Sequence, residues 1–148
     1  MSFEMRTAAI DALNAAISAT NLRALLVTTS HVPSRNYIYV SEIVANEVKT
    51  AQVSNYVRVT SGITLTSPIW NTSTFIASKG YDAISFGSLV TGAPTTILGM
   101  YLFTFVTDDS DSILKHWVSL KIPRVTDGAL VEFQANASAF QQKAAERQ

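Results

Sequence analysis

The residues that could carry chemistry are few. The two histidines, His31 and His116, are separated by most of the chain, and neither has a partner at the i, i+2 or i, i+4 spacing of a metal pair. His31 sits in a loop next to Val32-Pro33 and reads as solvated, whereas His116 lies on an otherwise apolar strand face and reads as a hydrogen-bonded structural histidine. Asp108, Asp109 and Asp111 form the densest acidic cluster. Such a cluster offers calcium ligation, yet the run lacks a Gly at the sharp turn and a downstream Glu at the required spacing, so it reads as a polar turn. No Gly-x-Ser-x-Gly elbow, phosphate-binding loop or dinucleotide fingerprint occurs, and Lys79-Gly80 reads as a turn. Paired carboxylates for glycoside hydrolysis meet only in a fold, and nothing in the sequence favours them. The count of zero cysteines removes disulfides, thiolate metal sites and cysteine nucleophiles together. No reactive constellation, cofactor fingerprint or metal-ligand set stands out, so none is expected and residue chemistry alone does not set the function. Trp70 and Trp117, with Tyr37, Tyr39, Tyr56 and Tyr81, leave two readings open: a carbohydrate groove, or core and subunit interface.

The elements that must position these residues are mostly strands. Thr96 to Val106 is β-branched and aromatic throughout and too short to cross a bilayer, so it reads as a strand apolar on both faces. After the turn Thr107 to Ser112 a second strand runs from Ile113 to Ile122, with Leu114, Val118, Leu120 and Ile122 on one face and Lys115, Ser119 and Lys121 on the other. The two form a hairpin at the centre of a sheet. Tyr56 to Thr66 alternates most cleanly, placing Val57, Val59, Ile63 and Leu65 inward and Tyr56, Arg58, Thr60, Thr64 and Thr66 outward, with a bend at Gly62. Further strands are expected at 24–29, 73–77, 83–86 and 129–135, with turns at 78–82, 90–94 and 126–128, while 37–43 fits a strand or one helical turn. Val131 and Phe133 join the expected core with Val118 and Leu120. Many short strands at regular spacing imply an all-β, sandwich or jelly-roll-like antiparallel domain with one short N-terminal helix.

The two ends differ from the middle. Phe3, Ile10, Leu13 and Ile17 fall on one helical stripe within residues 1–20, padded by alanines, with Asn21 as an end residue. Residues 136–148 are rich in Ala and Gln and read as a loose helix or an arm, Phe140 being the one large apolar residue there. The whole of 1–148 is expected to be a single domain: an N-terminal helix or arm over 1–20, a β-sandwich over 24–135 and a C-terminal arm over 136–148. Eleven basic residues balance eleven acidic ones and are scattered singly, which leaves no nucleic-acid footprint. Charged residues make up only 15% of the chain against 47% apolar, so either the surface is rich in Ser, Thr and Asn or part of it is covered by other subunits. The N-terminus lacks a basic run leading into an unbroken apolar stretch, which predicts cytoplasmic synthesis and no membrane span.

The order of segments resembles a group of small tailed-bacteriophage virion proteins. The resemblance rests on Ala24 to Ser30, Pro33, Tyr39-Val40-Ser41-Glu42-Ile43, Tyr56-Val57-Arg58-Val59, Gly62 to Thr66, Tyr101-Leu102, the acidic turn Asp108 to Asp111, and Pro123 through Gly128 to Phe133. This chain has Asp127-Gly128 where the group often has Gly-Gly, and its acidic turn lacks the group's usual Gly. The resemblance implies a non-enzymatic virion building block, foremost a capsid decoration or cement protein that binds the major capsid protein or other virion proteins and its own copies, and the strand apolar on both faces with the low charge points to a trimer or ring. The alternatives are a neck, collar or tail-associated component, and a host-facing carbohydrate-binding module or hydrolase that uses the aromatics and the Asp108–Asp111 turn. Localisation in the virion follows. The interface residues expected in that role are Phe3, Ile10, Leu13, Ile17, Tyr101, Phe103, Phe105 and Phe140.

Overall fold

The computed structural model describes residues 1–90 and 95–147; the turn expected at 90–94 lies almost wholly outside the described residues, and so does the side chain of Lys121. In chain order the elements are β1 (Ser2–Phe3), α1 (Arg6–Ala16), β2 (Leu22–Thr28), β3 (Ile69–Asn71), β4 (Ile76–Tyr81), β5 (Ile84–Ser88), β6 (Thr96–Thr104), β7 (Ile113–Val125), β8 (Leu130–Phe133), β9 (Asn136–Lys143) and β10 (Glu146–Arg147). The fold is mainly β, with 44% strand in several small antiparallel sheets, none closed, and one N-terminal helix. Two compact units are built from interleaved segments: residues Met1–Thr20, Ile63–Ile84 and Gln134–Gln148 form one, Asn21–Gly62 and Ser85–Phe133 the other.

In the first unit the sheet order is β3-β4-β9, α1 packs on β4 and β9, and β1 pairs with β10. The helix is shorter than the apolar stripe suggests. It has no side-chain N-cap and its backbone turns extended at Ile17, a full turn before Asn21. Phe3 lies outside it in β1 and is 65% exposed, so Ala9 takes its place in the buried row with Leu13 and Ile17. Residues 136–143, read as a loose helix or arm, are strand β9, registered on β4 from Ile76↔Lys143 to Tyr81↔Asn136. Backbone pairing here overrides a composition that favours helix.

The expected turn at 78–82 is part of the same pairing. Gly80 lies inside β4, where a Cβ would stand 1.9 Å from the carbonyl oxygen of Asn136. Glycine at this point permits a close backbone approach rather than a change of direction. The strand expected at 73–77 starts only at Ile76, because Asn71 accepts from the N–H groups of Ser73 and Thr74 and closes a turn there.

In the second unit β6 is central, hydrogen-bonded along its edges to β2 and β7 in order β2-β6-β7, and most of its residues are buried, as two apolar faces require. Leu25, Val27, Tyr101 and Phe103 pack with Val40 and Ile43 into one buried cluster, which Tyr37, Phe105, Leu114 and Trp117 edge. Segment 37–43 resolves into a short 3-10 turn at Val40–Glu42, whose Glu42 carboxylate accepts from the N–H groups of Ile38 and Tyr39. Phe133 and Val131 of β8 are buried, with Phe86 edge-on to Phe133 at 6.2 Å.

The segment 56–66, the clearest alternation in the sequence, forms no strand element and keeps only isolated bridges at Val59 and Leu65. Its expected faces are inverted at the start: Tyr56 is buried and Val57 is 70% exposed. Val118 and Leu120 are half-buried, and Ile122 is exposed.

Candidate functional site

Two clusters in the second unit bring polar and aromatic side chains together. The first explains the inverted alternation. Tyr56 Oη accepts from the Leu26 N–H at 3.1 Å and donates to Glu47 Oε1 at 2.8 Å. Arg58 holds Glu47 through Nε and Nη2 at 2.7 and 2.6 Å, and Asp109 through Nη1 and Nη2 at 2.7 and 3.0 Å. Tyrosine and arginine turn inward because acidic partners wait there, and a charged fork with two carboxylates outweighs the burial of one valine. Hydrogen bonds donated to Glu47 and then to Asp109 raise the Arg58 pKa against the opposing effect of burial. Asp109 is held below the ordinary carboxylate range by the Arg58 hydrogen bond, and burial raises the Tyr56 phenol.

The acidic turn uses its remaining carboxylates on itself. Asp111 accepts from the N–H groups of Thr107 and Asp108 at 3.0 and 2.9 Å and from the Thr107 hydroxyl, and Asp108 accepts from Ser110. These bonds lower the Asp111 pKa, the Asp108 N–H contributing most. Among the described residues no group of three or more His, Cys, Asp or Glu could hold a metal ion.

The second cluster surrounds His31, which is buried at 4% exposure rather than solvated. Its Nε2 shares a 2.5 Å hydrogen bond with Tyr101 Oη, and the rings of Tyr101, Tyr37 and Trp117 lie 5.3, 5.7 and 5.8 Å from its own. Burial lowers the His31 pKa, partly offset by Asn46, and pushes Tyr101 up to about 12. Trp117 lies 4.6 Å from Tyr101 across the β6–β7 pair, over Gly99, where a Cβ would come within 2.5 Å of the indole. Glycine in β6 thus makes the space that seats the tryptophan.

Above these rings opens a cleft of about 560 Å³, lined by Arg35, Tyr37, Tyr101, Lys115, His116 and Trp117 among others. His116 stands opposite Leu102, half-buried, and burial lowers its pKa. One register shift shapes the wall: Leu102 faces His116 but Phe103 faces Leu114, so Lys115 is an extra residue in β7. A bulge of this kind re-aims a side chain, and bulges concentrate next to functional sites.

The groove aromatics singled out in the sequence are only partly brought together. Tyr37 and Trp117 line the cleft, Tyr56 belongs to the arginine network, Tyr39 is exposed, and Trp70 and Tyr81 lie in the first unit, Trp70 beside Phe75. Tyr101 completes the aromatic wall, with His31 buried against it; in the sequence Tyr101 stands in an unbroken apolar run, where one polar-tipped ring is not distinguishable. Of the expected interface residues, Leu13, Ile17, Tyr101 and Phe103 are core, and Ile10, Phe105 and Phe140 are half-buried, Phe105 under the Arg23 guanidinium at 3.6 Å. Phe3 is open. Comparison with known protein families, with curated proteins and with solved structures returned no match.

Proposed function

We propose that this chain is a non-enzymatic structural subunit of a tailed-bacteriophage particle, foremost a capsid decoration protein that binds the shell and its own copies as a trimer or ring, with a neck, collar or tail position as the alternative. One observation carries the reading: residues from several of the segments behind the resemblance tie the chain to itself. Glu42 closes its own 3-10 turn, while Tyr56, Arg58 and Asp109, from two distant motifs, share one network. Residues tied to one another in this way hold a building block together. In the same reading residues 24–135 serve as a sandwich-like or jelly-roll-like block.

The surface supports docking. Met1, Phe3, Met5, Ile69 and Phe75 of the first unit are all exposed, and a chain with 15% charged residues has little to offset them in water. The test is to raise antibodies to the chain and label purified particles of the phage that encodes it. Gold at regular positions on the shell is the expected result; label at the neck or tail selects the alternative, and particles without label overturn the proposal.

A host-facing carbohydrate-binding role is favoured by a separate observation, the meeting of Tyr37 and Trp117 in one cleft.

A further inference from the structure

We infer that the cleft between the loop at 33–37 and strand β7 binds an acidic saccharide, its sugar face against Trp117 and Tyr37 and its carboxylate between Arg35 and Lys115. The inference rests on the carbohydrate reading of the cleft and stands apart from the role in the particle.

The apolar wall is built before any ligand arrives. Trp117 is fixed from below by Gly99 and from the side by Tyr101, and Tyr101 is itself held by the buried His31. A platform that needs no ordering on binding retains more of the contact energy as affinity. Aromatic rings of this kind take an apolar face, such as the C–H face of a pyranose, and the volume of about 560 Å³ falls in the range of small-ligand sites.

Charge then selects among sugars. Arg35 and Lys115 are exposed, neither forms an ion pair among the described residues, and no acidic residue is among those lining the cleft. The β7 bulge places Lys115 beside the same wall as Trp117. Two uncompensated cations beside an aromatic wall fit a ligand that is apolar on one face and anionic at its edge. A carboxylated sugar has that form, and the guanidinium fork matches a carboxylate.

Binding is read from Trp117 fluorescence in a Trp70→Phe background, which leaves one reporter. The probes are sialyllactose and trigalacturonate, their neutral counterparts lactose and galactotriose, inorganic phosphate, and adenosine monophosphate. Both acidic sugars, or one of them, should bind about tenfold or more tightly than the neutral counterpart, as a charge-assisted hydrogen bond allows. Arg35→Gln and Lys115→Gln, both at exposed positions, should remove that preference, so that acidic and neutral sugars bind alike, with the unfolding midpoint showing that the fold is kept. Equal binding of acidic and neutral sugars overturns the acidic assignment and keeps the carbohydrate reading. Phosphate or the nucleotide binding as well as the acidic sugars overturns the inference in favour of a general anion site, and no response to any probe overturns both.

Discussion

Arg58 and Asp109, 51 residues apart in the chain, meet in a two-pronged ion pair, with Nη1 to Oδ1 at 2.7 Å and Nη2 to Oδ2 at 3.0 Å. The same guanidinium grips Glu47, whose side chain is only 11% exposed. Arg58→Ala strands that carboxylate and should cost about 3 kcal/mol, the lower end for breaking a buried pair. Asp109 is more open, so Asp109→Asn should cost about 1 kcal/mol. Urea unfolding of the two variants tests the order; equal losses would show that Glu47 does not depend on Arg58.

Stability should fall on acidification in two stages. Burial holds His31 and His116 below their ordinary value, so the unfolded chain binds protons first; their contribution is complete above pH about 6.5 and is lost as the pH falls through the lower folded values. Asp109 is held down by Arg58, so its contribution is complete above pH about 4 and disappears further into acid. Unfolding midpoints from pH 7.5 to 3 check this. The His31→Gln, His116→Gln double variant should flatten the upper stage and Asp109→Asn should lessen the lower, which Asp111 shares, and an unchanged slope in either contradicts its assignment.

Gly80→Ala should damage the β4–β9 pairing, since the new methyl meets Asn136 and Ala137 backbone at 1.9 and 2.5 Å. Backbone cannot rotate away as a side chain can, so about 3 kcal/mol, the upper end for overpacking, is expected. Hydrogen exchange should rise in 76–81 and 136–143 and stay protected in β2 and β6.

Phe133→Ala should cost about 3–5 kcal/mol as a core cavity. Val57→Thr, at a position whose alternation reads as core, should change stability by less than about 0.5 kcal/mol because the side chain is 70% exposed. Thermal unfolding of both separates the observed burial from the one periodicity suggests.

Legibility followed the kind of force involved. The strand apolar on both faces, its hairpin partner and the buried pair Val131 and Phe133 were readable, since burial imprints itself on spacing. What defeated the reading was long-range pairing: Tyr56 and Arg58 look outward until Glu47 and Asp109 are placed beside them, and His31 looks solvated until Tyr101 arrives from 70 residues away. Residues 136–143 were missed for the same reason, because their order comes from the backbone of β4 and not from side chains of their own. Of the cleft, Tyr37 and Trp117 were visible as aromatics, but the Lys115 bulge exists only in the register of two strands.

The sheet order β2-β6-β7 also sets a timetable for folding. β7 follows β6 after one short turn, whereas β2 must find β6 from the other end of the second unit, pairing Leu25 with Tyr101. Closing so large a loop before any contact rewards it places the chain among slow, millisecond-to-second folders. Until β2 docks, the apolar strand β6 presents one unpaired edge, the form most prone to add a strand from another molecule. Yield of soluble protein should therefore depend on chain concentration during refolding, and a mutation that delays β2 should lower yield while leaving the stability of the folded protein intact.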